Sequence, residues 1–326
     1  MLNPQFAPLP TPGTDPVPSL LPLAFRVASL TRLPAEDGRS MLNEAELFHE
    51  QASLRVCWMS RHVDTRLQKG DLVGIRWLGK PVSIKGAVRI SRLVLLERAE
   101  ASLNLFRTIP TAWVKDRNLV ARAAGLWESL SRPCQHLVNA IFWEGNRFHR
   151  FLAGPSSLNG HHNEVNGNFR HAVEVAETCL MLAMSNPNVC HSVLVTAALL
   201  HDAGKADEYH LKPNRRGLTM SPRGQLVGHR HTILEWIAVA RATQRIAMPE
   251  THYLGLIHAL TAAKGAEWLG IRTPVSLEAA MLSSADRLSG HTALLEQAVP
   301  DRAGFGHYHP HLKGRPYVLQ VNESIV

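Results

Sequence analysis

The sequence predicts an α+β protein in two parts, a small N-terminal β-barrel followed by a larger, all-helical domain. Three observations predict it. Short alternating apolar runs bounded by turn signals fill residues 25–98. A hydrophobic period near 3.6 residues dominates from about residue 99, its last stretch near 276–297, in a domain expected to span 99–326. Residues 1–24 carry seven prolines and no period, so they read as a flexible or polyproline-like tail outside either core.

The barrel expectation rests on particular strands. Leu54-Arg55-Val56-Cys57-Trp58 alternates, as does Leu72-Val73-Gly74-Ile75-Arg76-Trp77, and Val82–Gly86, Val88–Ile90 and Leu93–Leu96 follow. Asp37-Gly38, Lys69-Gly70-Asp71 and Gly79-Lys80-Pro81 supply the turns. Four or five short strands in about 75 residues suit an OB-like barrel, with an SH3-like barrel as the structural alternative. Basic residues interleave with these strands. Arg76 and Lys85, with Trp58 and Trp77 as stacking rings, make this face a candidate nucleic-acid surface. Beyond it, helices are expected near 116–130, 133–145, 167–185, 190–204, 228–246, 250–264 and 276–297.

The bulk chemistry narrows the class. The net charge of +8 favours a polyanionic partner. Four cysteines, none in a C-x-x-C pair, read as reduced thiols. No run reaches the roughly 18 apolar residues of a membrane span, and the N-terminus lacks the basic segment of a secretory signal. These features predict a cytoplasmic protein with no membrane partner. They carry no signal for oligomeric state.

Polar residues on apolar helix faces mark the chemistry. His171 shares a stripe with Val175 and Leu182, and Asp286 lies one turn after Leu282 and beside Ala285. The run Val193–Leu200 is apolar nearly all round and ends in His201-Asp202-Ala203-Gly204-Lys205. A buried carboxylate costs several kcal/mol without a positive partner. A divalent metal held by His171, His201, Asp202 and Asp286 would supply that charge to both aspartates. Mixed imidazole and carboxylate donors suit Mn²⁺, with Fe, Co or Ni as alternatives and Mg²⁺ less suited. No cysteine joins the group, which removes a structural zinc site.

The order H…HD…D, with the string His201-Asp202-Ala203-Gly204-Lys205, resembles the HD superfamily of metal-dependent phosphohydrolases. A barrel ahead of that helical domain resembles, more narrowly, the YhaM-type 3′→5′ exonucleases. His161-His162 before Gly167 and His171, Glu208 after the lysine, and Thr219, Gly224, Leu226, Gly228 and His229 carry the likeness, as does Leu277-Glu278-Ala279 ahead of Asp286. The sequence departs from that family at Ala263-Lys264, where a ligand histidine of a second metal would stand, while His258 and Gly265 are kept.

The resemblance implies an HD domain over 99–326 and an OB-like domain over 25–98. It implies a metal-dependent phosphodiester hydrolase acting as a 3′→5′ exonuclease on single-stranded DNA or RNA. Lys205 would contact phosphate, Glu208, His229 and His258 would complete the catalytic group, and Arg170 and Arg230 would join the nucleic-acid surface. Three alternatives stand beside it: an HD-type nucleotide phosphohydrolase, a relaxase-like protein of a mobile element, suggested by Pro155-Ser156 before His161-His162, and a non-catalytic nucleic-acid-binding module.

Overall fold

The computed structural model describes residues 21–84, 86–158, 162–211, 217–300 and 303–319. Residues 1–20 of the expected tail, Lys85 of the expected nucleic-acid surface and His161 lie outside the described residues.

Five strands, β1 (Phe25–Pro34), β2 (Met41–His49), β3 (Ala52–Ser60), β4 (Leu72–Ile84) and β5 (Ala87–Leu95), close into a barrel in the order β1-β2-β3-β5-β4. β3 and β5 run parallel, with Val56 opposite Val88, and the remaining pairs are antiparallel. This is an OB-like arrangement. Two-residue alternation sends Val27, Ala45, Leu47, Val56, Trp58, Val73, Val88 and Ile90 inward. It leaves Arg55, Arg76, Arg89 and Arg92 exposed.

The Asp37-Gly38 turn forms as expected. The Asp37 carboxylate accepts the N–H groups of Arg39 and Ser40 at 2.9 and 2.8 Å, and Gly38 takes a φ of +60°. Gly79-Lys80-Pro81 does not separate two strands. It lies inside β4, where pairing with β5 shifts register between Trp77 and Val82, because proline cannot donate to the ladder.

The chain divides into two compact units. One holds the described residues up to Arg150 together with Trp236–Ala247, and the other holds Phe151–Glu235 with the described residues from Met248 onward. In the first unit the barrel is followed by α1 (Arg117–Glu128), α2 (Arg132–Phe142) and the start of α3 (Gly145–Ala153), whose residues from Phe151 on belong to the second. The fully buried Arg26 on β1 donates to Thr108 Oγ1 at 3.0 Å and to the Gly70 carbonyl at 2.7 Å, which ties the barrel to the turn before α1. Gly125 is exposed in the middle of α1, with open space where a Cβ would stand. Gly125→Ala is therefore expected to raise stability by about 0.5–1 kcal/mol, read as a higher melting temperature.

In the second unit α5 (His191–Leu200) is the central helix, with every residue from Val193 to Leu200 buried. α4 (Gly167–Met184), α9 (Glu250–Thr261) and α10 (Leu277–Glu296) pack against it. The helical region is interrupted by the short α6 (Lys205–Glu208), by α7 (Pro222–Leu226) and by two small hairpins. These hairpins pair β6 (Tyr209–Leu211) with β7 (Leu218–Met220) and β8 (Gly304–Phe305) with β9 (Tyr317–Val318). α8 (His229–Gln244) starts immediately after Gly228, whose φ is +77°. Among the described residues no helix is long and apolar enough to cross a membrane.

Candidate metal centre

Four elements of the second unit bring their polar residues to one place. α4 carries His171, 1% exposed, on the stripe that also buries Val175. That stripe does not extend to Leu182, which is 41% exposed near the helix end. α5 ends at His201, its C-cap, and the chain turns through Asp202 into Lys205, the first residue of α6. α10 presents Asp286 beside the buried Leu282 and Ala285, and α8 opens with His229.

The donors converge. His171 Nε2 lies 3.2 Å from His201 Nε2 and 3.1 Å from Asp286 Oδ1, and His201 Nε2 lies 3.6 Å from the same oxygen. Asp202 Oδ2 stands 3.5 Å from both ring nitrogens. It also accepts from Lys205 Nζ at 2.5 Å, while Asp202 Oδ1 faces His229 Nε2 at 3.4 Å. Nitrogen and oxygen donors bound to one cation at about 2.0–2.2 Å stand roughly 3.0–3.4 Å apart. The His171–His201 and His171–Asp286 separations of 3.2 and 3.1 Å fall in that range and the others, at 3.5–3.6 Å, lie just beyond it, and His171, His201 and Asp286 form a group able to hold an ion. The remaining nitrogen of His201 is already committed, since Nδ1 donates to the Ala198 carbonyl at 2.8 Å and leaves Nε2 facing the group. The residues present therefore fit a divalent metal.

Electrostatics follow from burial and from the neighbours. Burial alone would raise Asp202. The charges of His201, Lys205, His171 and His229 outweigh it and hold the carboxyl well below the usual range. Burial also opposes a charge on Asp286, but its bonds to His171 and His201 depress it strongly. For His201, Asp202 and Asp286 overcome burial and raise the ring, whereas His171 is lowered by burial and by the charge of His201. In the metal-free pair it is therefore His201 that holds its proton more tightly than an ordinary histidine, and a metal must displace it. Metal affinity is expected to rise with pH through the range just above the ordinary histidine value and to level off once His201 is neutral. Calorimetric titrations in buffers of different ionisation enthalpy would show the released proton, and metal binding without proton release would contradict this.

The remaining expected residues take different places. His229 Nδ1 bonds Glu208 Oε2 at 2.7 Å. Glu208, only 9% exposed, stands behind His229 and is not among the residues lining the cavity. His258 is not brought to the group: its Nε2 accepts the Val275 N–H at 3.1 Å, on the loop before α10. Lys264 is exposed and absent from the cavity wall. Arg230 does line the cavity, of about 390 Å³, with Lys205 and Arg287. Arg170 is half-buried and 3.9 Å from Glu164.

On the barrel, Trp58 is 7% exposed and belongs to the interior, so its ring face is not offered for stacking. Trp77 packs partly against the same interior, and Arg76 is exposed. Sequence reasoning does not place Glu174, Ser289 and Arg287 at the site. The first two are signalled by their spacing, three residues beyond His171 and Asp286 on the same helix faces.

The sequence profile of the HD domain family matches residues 168–290, the segment that contains all four candidate metal donors. The chain is also 24% identical, over 172 residues, to the 3′-5′ exoribonuclease YhaM of Bacillus pumilus (strain SAFR-032). That match covers 52% of this chain and 51% of the relative, so the chain spans about half the length of the curated relative it matches. No solved structure matches it. Residues 168–290 are thus similar to the HD domain family, and about half of the chain is similar to YhaM.

Proposed function

We propose that the chain is a metal-dependent phosphohydrolase that removes nucleotides from the 3′ end of single-stranded DNA or RNA. The observation that carries this reading is the meeting of two imidazoles and two carboxylates beside three cations, Lys205, Arg230 and Arg287, on one cavity. A bound divalent cation, Mn²⁺ by preference, supplies a Lewis acid for the phosphoryl oxygens. Lys205, 3.3 Å from Ser156 Oγ and 2.5 Å from Asp202, adds positive charge where the transition state gathers negative charge. His229, with Glu208 bonded to Nδ1, is the group placed to hand a proton from Nε2 to the leaving oxygen. One ion is held tightly, a reading supported by the bond that occupies His258 Nε2 with the Val275 N–H.

Residues 25–98 would hold the strand and residues 99–326 would hydrolyse it. Support for the first comes from the barrel face. Arg76 and Arg92 sit directly opposite one another on β4 and β5, a like-charge pair that is unfavourable by itself and that a phosphate would relieve. Arg61 and Arg92 also line a groove of about 340 Å³.

The test uses 5′-labelled single strands of DNA and RNA with Mn²⁺ or EDTA. A metal-dependent ladder shortening from the 3′ end is expected. Nicking of supercoiled plasmid alone would favour the relaxase-like reading, hydrolysis of free nucleotides alone the nucleotide phosphohydrolase, and binding without cleavage the non-catalytic module. In the same assay conditions, the slope of log affinity against log salt should become shallower by about 0.7 for each phosphate no longer neutralised, as in Arg92→Ala. An unchanged slope would remove Arg92 from the strand path.

A further inference from the structure

His171 and His201 meet the metal position differently. His201 has its second nitrogen held by a backbone carbonyl, Ala198, which no side-chain change removes. At His171 the second nitrogen meets a side chain. Its Nδ1 lies 3.1 Å from Ser289 Oγ on α10, and that hydroxyl lies 3.5 Å from Glu174 Oε2 on α4. Glu174 Oε2 in turn faces His162 Nε2 at 3.2 Å, and His162 Nδ1 faces Glu164 at 3.7 Å.

The order of these groups has one chemical consequence. A neutral imidazole carries one proton, on Nδ1 or on Nε2. If Nε2 carried it, His171 would donate to Asp286 at 3.1 Å and present no lone pair to a cation. If Nδ1 carries it, the ring donates to Ser289, Ser289 donates to the Glu174 carboxylate, and the Nε2 lone pair points to the metal position. The second arrangement needs Glu174 charged, and His162 opposite it provides for that.

We propose that Ser289, Glu174 and His162 are positioning residues that fix His171 in its Nδ1–H tautomer and so present Nε2 to the metal. The chain of groups runs through two helices and the segment ahead of α4, so it also fixes the plane of the ring. The direction of titration agrees with it. Burial opposes charge on both His162 and Glu174, yet their mutual attraction raises His162 and lowers Glu174 from their ordinary values. Gly167 makes room for this: a Cβ there would collide with the backbone carbonyl of His162, so glycine lets the His162 segment lie against the start of α4. His162, half of the His-His pair prominent in the sequence, acquires a role that the metal group alone does not give it.

The inference rests on the metal reading above, and its test separates the two. Calorimetry with Mn²⁺ compares the whole chain with Ser289→Ala, Ser289→Thr and Glu174→Gln, and long-range ¹⁵N–¹H spectra of the metal-free proteins read the tautomer of His171. Ser289→Ala is expected to weaken Mn²⁺ binding by about 10–100-fold, the usual range for removing a partner of a ligand histidine, and to populate the Nε2–H tautomer. Ser289→Thr, which keeps the hydroxyl, should recover both, and Glu174→Gln should fall between. Wild-type affinity and an unchanged tautomer in Ser289→Ala and Glu174→Gln would overturn the proposal while leaving the metal site standing. Weakened binding in Ser289→Ala that Ser289→Thr does not recover would assign the effect to packing and overturn it as well. A wild-type chain that binds no Mn²⁺ would bring down the metal reading and this inference together.

Discussion

Asp202→Asn is expected to remove the metal and to lower hydrolysis by at least about 10³-fold. Asp202 is the one carboxylate that touches every part of the site: both metal-facing histidines at 3.5 Å, Lys205 at 2.5 Å and His229 at 3.4 Å. Losing the metal forfeits several kcal/mol of transition-state stabilisation, and each 1.36 kcal/mol is about tenfold in rate. Asparagine is the informative change, because it keeps an oxygen for Lys205. Alanine would strand the Lys205 ammonium, only 13% exposed, beside an empty position, and stripping one partner from a buried pair costs about 3–5 kcal/mol. Metal content, activity and melting temperature measured together separate the two effects. A fully metallated Asp202→Asn protein would show that the ion sits elsewhere.

Gly204→Ala is expected to be the most damaging small substitution near the site. Gly204 has ordinary helical dihedrals, so its backbone conformation does not require glycine. What requires it is proximity. A Cβ at this position would run into the carbonyl group and Cα of His229, backbone atoms that cannot swing aside. Relief would push the start of α8 away from α6, costing about 1–3 kcal/mol by the usual toll of overpacking. It would also draw His229 off Asp202. Activity should fall further than Mn²⁺ affinity, since His171, His201 and Asp286 are left in place. Gly125→Ala, where the added methyl meets nothing, is the matched control. Equal melting temperatures and rates for Gly204→Ala and the wild type would show that α8 yields freely.

The elements legible in the sequence are those with strong local signals. α5 is legible because eight consecutive, largely apolar residues ending in His-Asp can only be central, and α4 and α10 because their polar site residues lie on apolar stripes. β2 carries no such signal. Its sequence, MLNEAELFH, is rich in helix formers, and it is a strand because β1 and β3 bond it on both edges. α3 escapes the periodicity for a related reason, since Gly145–Ala153 is short and begins with glycine.

The site residues divide the same way. Trp58 shares a face with Val56, opposite Arg55 and Met59, so alternation already points it inward; the stacking expectation took ring type over face, and the closed barrel buries the ring. His258 keeps the spacing of a ligand while its ring is taken by the Val275 N–H, a bond set by a loop whose path no periodicity describes. Glu208 is legible as a site residue but not in its role, since only the folded α6 and α8 show that it backs His229.

The proposed hydrolysis requires a divalent ion among His171, His201, Asp202 and Asp286. Anomalous scattering from crystals grown with Mn²⁺ tests it most directly. One strong peak within bonding distance of His171 Nε2, His201 Nε2, Asp202 and Asp286 is the predicted result. A fully ordered cluster with no peak, or a peak bound by other residues, would contradict it.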